Sequence, residues 1–191
     1  CLREFVSVPN WRNLRVLIVL GVLILGNIVF YTELIRSGVA DYGIRLGIGT
    51  VIGLITLIGG RIIPSFTHNW LARHRPERLP AKFSAFDAIC LGAGALALAA
   101  WVLAPSWNAT GVALMLAGLL HLLRLARWAG DRTLADRLLF VLHVAYAFVV
   151  LGFLLVGGAV LSSDTIPLSA GLHAWTVGAM GLMPLAVMTR A

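Results

Sequence analysis

The sequence predicts an all-α membrane protein: a polytopic bundle of about six transmembrane helices, forming a single domain over residues 1–191. Three observations carry this reading. The chain is 60% hydrophobic and only 12% charged, whereas a soluble domain runs nearer half apolar and a quarter charged. Several apolar runs approach or exceed the roughly 18–20 residues that carry a helix across a bilayer. The basic residues collect in short segments between those runs, as membrane topology requires. The alternating apolar and polar strands of a membrane β-barrel are absent from the sequence.

The first span is read at Leu14–Tyr31, in LRVLIVLGVLILGNIVFY. The second covers Ile44–Ile63, is rich in glycine and is expected to end or bend at Pro64, because proline removes a helical hydrogen bond and crowds the preceding turn. The third covers Phe83–Ala104, the fourth Ala109–Arg127, the fifth Leu138–Leu161 and the sixth Ser169–Met188. Gly49 and Gly53 form a GxxxG, which lets helices approach closely. NWLARHRPERLPAKF mixes apolar and basic residues and reads as an interfacial amphipathic helix.

Thirteen of the fifteen basic residues lie on one side of this arrangement. They are Arg3, Arg12 and Arg15; Arg61, Arg73, Arg75, Arg78 and Lys82; Arg124, Arg127, Arg132 and Arg137; and Arg190. The external loops PSWNATG and SSDTIP carry none. The positive-inside rule then places both ends of the segment in the cytoplasm. The same distribution accounts for the net charge of +7 without a nucleic-acid role. Cys1 and Cys90 form no CxxC, so neither a zinc site nor a disulfide framework is expected. Cys1 is a candidate for lipid modification.

A charged side chain at the bilayer centre costs roughly 2.5–3.5 kcal/mol, so polar residues inside spans are candidate functional positions. His121 and Arg124 in GLLHLLRLARW are three residues apart and share a helix face. His121 precedes Arg127 by six residues and His143 follows Arg137 by six, so each is expected roughly 9 Å deep on neighbouring antiparallel helices. Two imidazoles at matched depth can hold one metal, with Arg124 near a haem propionate. The plainer alternative is that each histidine hydrogen-bonds a neighbouring helix while Arg124 snorkels. His173, near the opposite end, is a candidate for a second metal or a proton relay, or forms a structural hydrogen bond. Arg61 in GGRIIPSFT either binds an anionic group or caps carbonyls released at Pro64. Asp87 is expected to pair with an arginine or to handle protons. His68 and His74 are expected in a solvated basic loop.

In order along the chain, GGRIIPSFTHNWL, HLLRLARW, VLHVAYAFVVLG and LHAWTVGAMGLMPLAVMTRA resemble blocks of the NnrS family. The resemblance runs from Arg12–Asn13 to the end. It implies a bacterial inner-membrane protein of about twelve spans, of which this chain is a middle-to-late section. It also implies haem and copper as cofactors, and a role in the response to nitric oxide and nitrosative stress. His121, Arg124, His143, His173, Arg61 and Pro64 occupy motif positions. Haem or another cofactor is then expected at His121, His143, Arg124 and Arg61, and metal at His121, His143 and His173. Beside the lipid bilayer, the implied partner is nitric oxide or another small ligand at a metal. The family's histidine-rich N-terminal block has no counterpart in this chain. The competing reading is a transporter or channel with a polar path between helices and a helix broken at Pro64. A third is a structural bundle that assembles through its glycines.

The orientation is testable by reporter fusion. A reporter placed after Lys82 is expected to show cytoplasmic activity, and an external signal there reverses the assignment.

Overall fold

A computed structural model describes residues 11–74 and 77–190, with side chains from Leu17 onward. Cys1, Arg3 and Arg75, and the side chains of Arg12 and Arg15, lie outside the described residues. Six helices are long and apolar enough to cross a membrane. They are α1 (Trp11–Ser37), α2 (Asp41–His74), α3 (Ala85–Leu103), α4 (Asn108–Ala126), α5 (Arg137–Leu161) and α6 (Leu168–Met188). The chain divides into two compact units, residues 1–50 and 51–191.

In the first unit α1 meets the start of α2 through a tight turn. Gly38 adopts φ +73°, a left-handed conformation that glycine reaches without steric cost, and its amide donates to the Leu34 carbonyl at 3.1 Å. The Glu33 carboxylate then accepts from the amides of Tyr42 (3.2 Å) and Gly43 (2.7 Å). A negative charge is thereby placed on the amides that open α2, where the helix leaves donors unsatisfied.

The second unit runs from the body of α2 through α6. The second helix does not stop at Pro64: it continues to His74, and NWLARH is its final stretch rather than a separate element. The missing proline bond costs about 3 kcal/mol. The turns on either side are held by burial, with Ile63, Thr67 and Leu71 fully enclosed, and the Thr67 hydroxyl donates to the Ile63 carbonyl at 2.8 Å. His68 and His74 therefore project from this helix and are exposed.

Three glycines, Gly111, Gly118 and Gly157, set the register of α4 on α5. A Cβ at Gly157 would lie 2.8 Å from the Gly111 carbonyl oxygen, and one at Gly118 would meet Leu154 and Phe153. Closest helix approach thus falls on these residues, whereas a Cβ at Gly53 of the GxxxG meets nothing within 4 Å. Between α4 and α5 the chain turns through left-handed Ala129 and a 3₁₀ turn at Gly130–Arg132. Trp128, Ala129 and Thr133 of this connection are buried. The Ala81 amide donates to Arg127 (3.0 Å) and Arg132 donates to Arg78 and Glu77, so the two basic segments are laced together.

The sixth helix is α-helical at Leu168–His173, π-helical at Ala174–Gly181 and α-helical again at Leu182–Met188. Pro184, two residues into the last run, offers no amide hydrogen to the carbonyls of the π turns before it. Trp175 of the π segment is fully buried, donates from Nε1 to the Val149 carbonyl at 3.1 Å, and occupies the space that a side chain at Gly152 would fill. The end of α6 is tied by Arg190 to Asp136 at 3.0 Å. Partial burial raises the Asp136 pKa, but the Arg190 hydrogen bond and the Leu139 amide outweigh it and hold the carboxyl below its usual value.

Gly152→Ala is expected to destabilise the protein by about 1–3 kcal/mol through overpacking against Trp175. Gly92→Ala, whose added Cβ meets nothing within 4 Å, is expected to stay close to wild type. Thermal unfolding in detergent measures both.

Candidate functional site

Groups from α2, α3 and α5 converge on one guanidinium of α4. Arg124 lies in the last turn of α4 with 1% exposure. Its Nε donates to Asp87 Oδ1 of α3 at 3.1 Å. Its Nη1 donates to the Thr56 carbonyl of α2 at 3.2 Å and to Tyr146 Oη of α5 at 3.1 Å. It also stands 5.3 Å from the Trp128 ring centre. Gly60 makes room for it: a Cβ there would collide with the guanidinium.

Asp87 is 4% exposed and receives more than Arg124. Its Oδ2 accepts from the Ser84 amide (2.9 Å), the Ser84 hydroxyl (3.0 Å) and Arg127 (3.4 Å). The expected pairing with an arginine is therefore present, and with two of them. A buried charge is tolerable when it is paired and its remaining lone pairs are filled.

His121 is fully buried one turn before Arg124. Its Nδ1 bonds Tyr146 Oη at 2.8 Å and its ring stacks on Phe153 at 5.5 Å. Its Nε2 is buried without any hydrogen-bond partner and faces Gly94 of α3, where a Cβ would stand 2.7 Å away. Two proton arrangements satisfy the Tyr146 bond. Either the phenol donates and Nε2 carries a hydrogen, or Nδ1–H donates and Nε2 presents a lone pair.

His143 sits elsewhere. Its Nδ1 contacts the Leu139 carbonyl (3.0 Å), its Nε2 contacts Thr67 Oγ1 of α2 (3.3 Å), and Gly130 lies against its ring. The two imidazoles do not share a level. Gly111 lies opposite Gly157 and Gly118 opposite Phe153 and Leu154, which puts His121 about four to seven residues, roughly 6–10 Å, beyond His143 along α5. The expectation of equal depth treated Arg127 and Arg137 as level. The connection instead folds back along α5, with Trp128 on Tyr146 at 4.6 Å and Gly130 on His143.

The remaining positions lie apart. His173 is exposed on α6 and bonds the Ser169 carbonyl at 2.7 Å through Nδ1. Arg61 is exposed midway along an unbroken α2. Among the described residues no three His, Cys, Asp or Glu side chains gather as a metal cage, so the donors present do not fit a self-contained copper centre. The one orphaned imidazole nitrogen among them is His121 Nε2, on a ring whose other nitrogen bonds Tyr146, and in this arrangement Gly94 closes the approach to it.

Sequence reasoning overlooked Tyr146, Phe153 and Gly94. Tyr146 carried a signal: it follows His143 by three residues in VLHVAYAFVV and is the only hydroxyl-bearing side chain of its span.

Removing one partner of a buried ion pair costs about 3–5 kcal/mol because the other charge is stranded. Asp87→Ala is expected to lose about that much stability, and Asp87→Ala with Arg124→Leu to recover part of it. Unfolding midpoints of the two variants decide this.

The NnrS protein family model matches residues 1–191. No match is found among curated proteins or among solved structures. With the match spanning the whole chain and six apolar helices in place, this multi-pass membrane bundle belongs to the NnrS family.

Proposed function

We propose that this chain is a haem-binding part of an inner-membrane protein that serves the response to nitric oxide and nitrosative stress, with His121 as the iron ligand. The observation that carries the reading is the buried, unpartnered Nε2 of His121. A buried polar atom without a partner costs about 1–3 kcal/mol, and here it stands at the end of the Asp87–Arg124–Tyr146–His121 chain. Membership of the NnrS family supports the choice of haem. Haem, when bound, supplies an iron that takes up nitric oxide. The protein supplies the ligand and its setting. In the state proposed, Tyr146 accepts from His121 Nδ1–H, the one of the two arrangements that leaves a lone pair on Nε2. Arg124 holds the Tyr146 oxygen, and Asp87 holds Arg124. Phe153 keeps the ring plane from turning.

In this assignment Arg124 orients Tyr146 through Nη1, while Asp87 holds Nε and the Thr56 carbonyl takes the other Nη1 hydrogen. His143 ties α5 to α2 through Thr67. The transport alternative loses the broken helix that favoured it, since α2 runs through Pro64.

An optical spectrum and metal analysis of the full-length membrane protein test the reading. His121→Ala is expected to lose or shift the Soret band, while His143→Ala retains it. Tyr146→Phe is expected to weaken haem affinity by about 10–100-fold, as loss of an outer-shell partner does. An unchanged Soret band and metal content in His121→Ala overturns the proposal.

A further inference from the structure

The outward face of α2 changes character within one turn. Ile63, Thr67 and Leu71 are fully enclosed on one side of the helix. On the other side Leu54, Ile58, Arg61, Ser65, His68 and Ala72 follow at spacings of four and three, so they line one stripe. Ile58 is 39% exposed, and the four residues after it on the stripe are exposed as well. The stripe is apolar up to Ile58 and polar from Arg61 to His68. Length places that change at the membrane edge. The helix has 34 residues, about 51 Å at 1.5 Å each, against a hydrocarbon core of roughly 30 Å. Arg61 lies about 30 Å along it from Asp41, so the turns beyond Arg61 pass through the headgroup layer.

The protein leaves this charge unanswered. Asp131 is engaged by Arg78, Asp87 by Arg124 and Arg127, Glu77 by Arg132 and Asp136 by Arg190. No described carboxylate pairs with Arg61. Because α2 runs on through Pro64, there is no helix end at Arg61 to cap either. We infer that Arg61, Ser65 and His68 bind the headgroup phosphate of an anionic phospholipid, whose acyl chains lie along Leu54 and Ile58. The guanidinium supplies a permanent charge and a fork of donors suited to phosphate. The hydroxyl and the imidazole add donors one and two turns on. The apolar half of the same stripe selects a lipid over a free phosphate ion. The site is separate from the buried network, since Thr56 and Gly60 meet Arg124 on the inward side of α2.

Native mass spectrometry of the full-length membrane protein, titrated in detergent with phosphatidylglycerol, gives the Kd for the first lipid bound. Arg61→Gln is expected to weaken that binding by about fivefold, the share of one arginine at an anionic surface. Arg78→Gln makes the same change in charge at a guanidinium already held by Asp131, and is expected to keep the wild-type Kd. Phosphatidylcholine is expected to bind more weakly than phosphatidylglycerol, and inorganic phosphate at the same concentration not to displace the lipid. An unchanged Kd in Arg61→Gln, an equal loss in both variants, equal affinity for the two lipids, or displacement by phosphate each overturns the site. A second measurement needs no variant. Wild-type protein is treated with diethyl pyrocarbonate with and without phosphatidylglycerol at about twice its Kd, and the acylated histidines are located. The rate at His68 relative to His74, which stacks on Trp70 away from the stripe, is expected to fall about threefold, as mass action reduces the empty fraction. An unchanged ratio overturns the site.

Discussion

The Asp87–Arg124 ion pair is the constraint on which the interior of residues 51–191 depends. A guanidinium with 1% exposure inside an apolar bundle is stable only if its charge is answered and its donors are filled. Asp87 answers the charge from α3, and the Thr56 carbonyl and the Tyr146 hydroxyl fill donors from α2 and α5. Four helices therefore meet at one side chain. Each bond also removes a freedom from the next group: Arg124 fixes the phenol oxygen, and the phenol oxygen fixes the His121 ring.

Packing sets where along the bundle this happens. Gly111 and Gly157 bring α4 and α5 close, and Gly118 carries the same register past Phe153. That register delivers His121 to the Phe153 face and leaves His143 beside Gly130 and Thr67. Two histidines that look equivalent from their distance to the nearest arginine thus serve different helix pairs. The difference arises in ten residues of connection. Trp128 and Thr133 are buried instead of spanning the gap in solvent, and the lacing of Arg132 to Arg78 and Glu77 holds the fold-back in place.

The spans were legible because hydropathy over the length of a helix is a sum of many small terms, insensitive to any one contact. The shared face of His121 and Arg124 was legible from helical spacing, and the pairing of Asp87 from the cost of isolated charge in lipid. Pro64 misled because its local penalty is fixed while the burial of Ile63, Thr67 and Leu71 on both sides is a tertiary property. The π turns at Ala174–Gly181 are not legible from hydropathy, and within them Trp175 packs over Gly152. Gly94 was invisible for a related reason. A glycine among alanines in a membrane span reads as packing until the partner across the seam is known to be an imidazole nitrogen.

A helix bundle of this size does not need a polar chain to hold together. Apolar side chains of similar volume in place of Tyr146, His121 and Arg124 would carry no desolvation cost and leave nothing unpaired, and such replacements are often neutral or stabilising. A partly satisfied polar network is worse than an apolar core. Here Nε and Nη1 of Arg124 and the Tyr146 oxygen have partners, and the buried Nε2 of His121 has none. If the chain existed only to bind helices together, the loose end would be the cheapest part to remove. A phenylalanine at 121 would keep the stacking on Phe153 and dispense with the orphan. Keeping an imidazole, with one nitrogen anchored and the other turned toward a backbone that lacks a side chain, makes physical sense when that nitrogen has a partner in some working state.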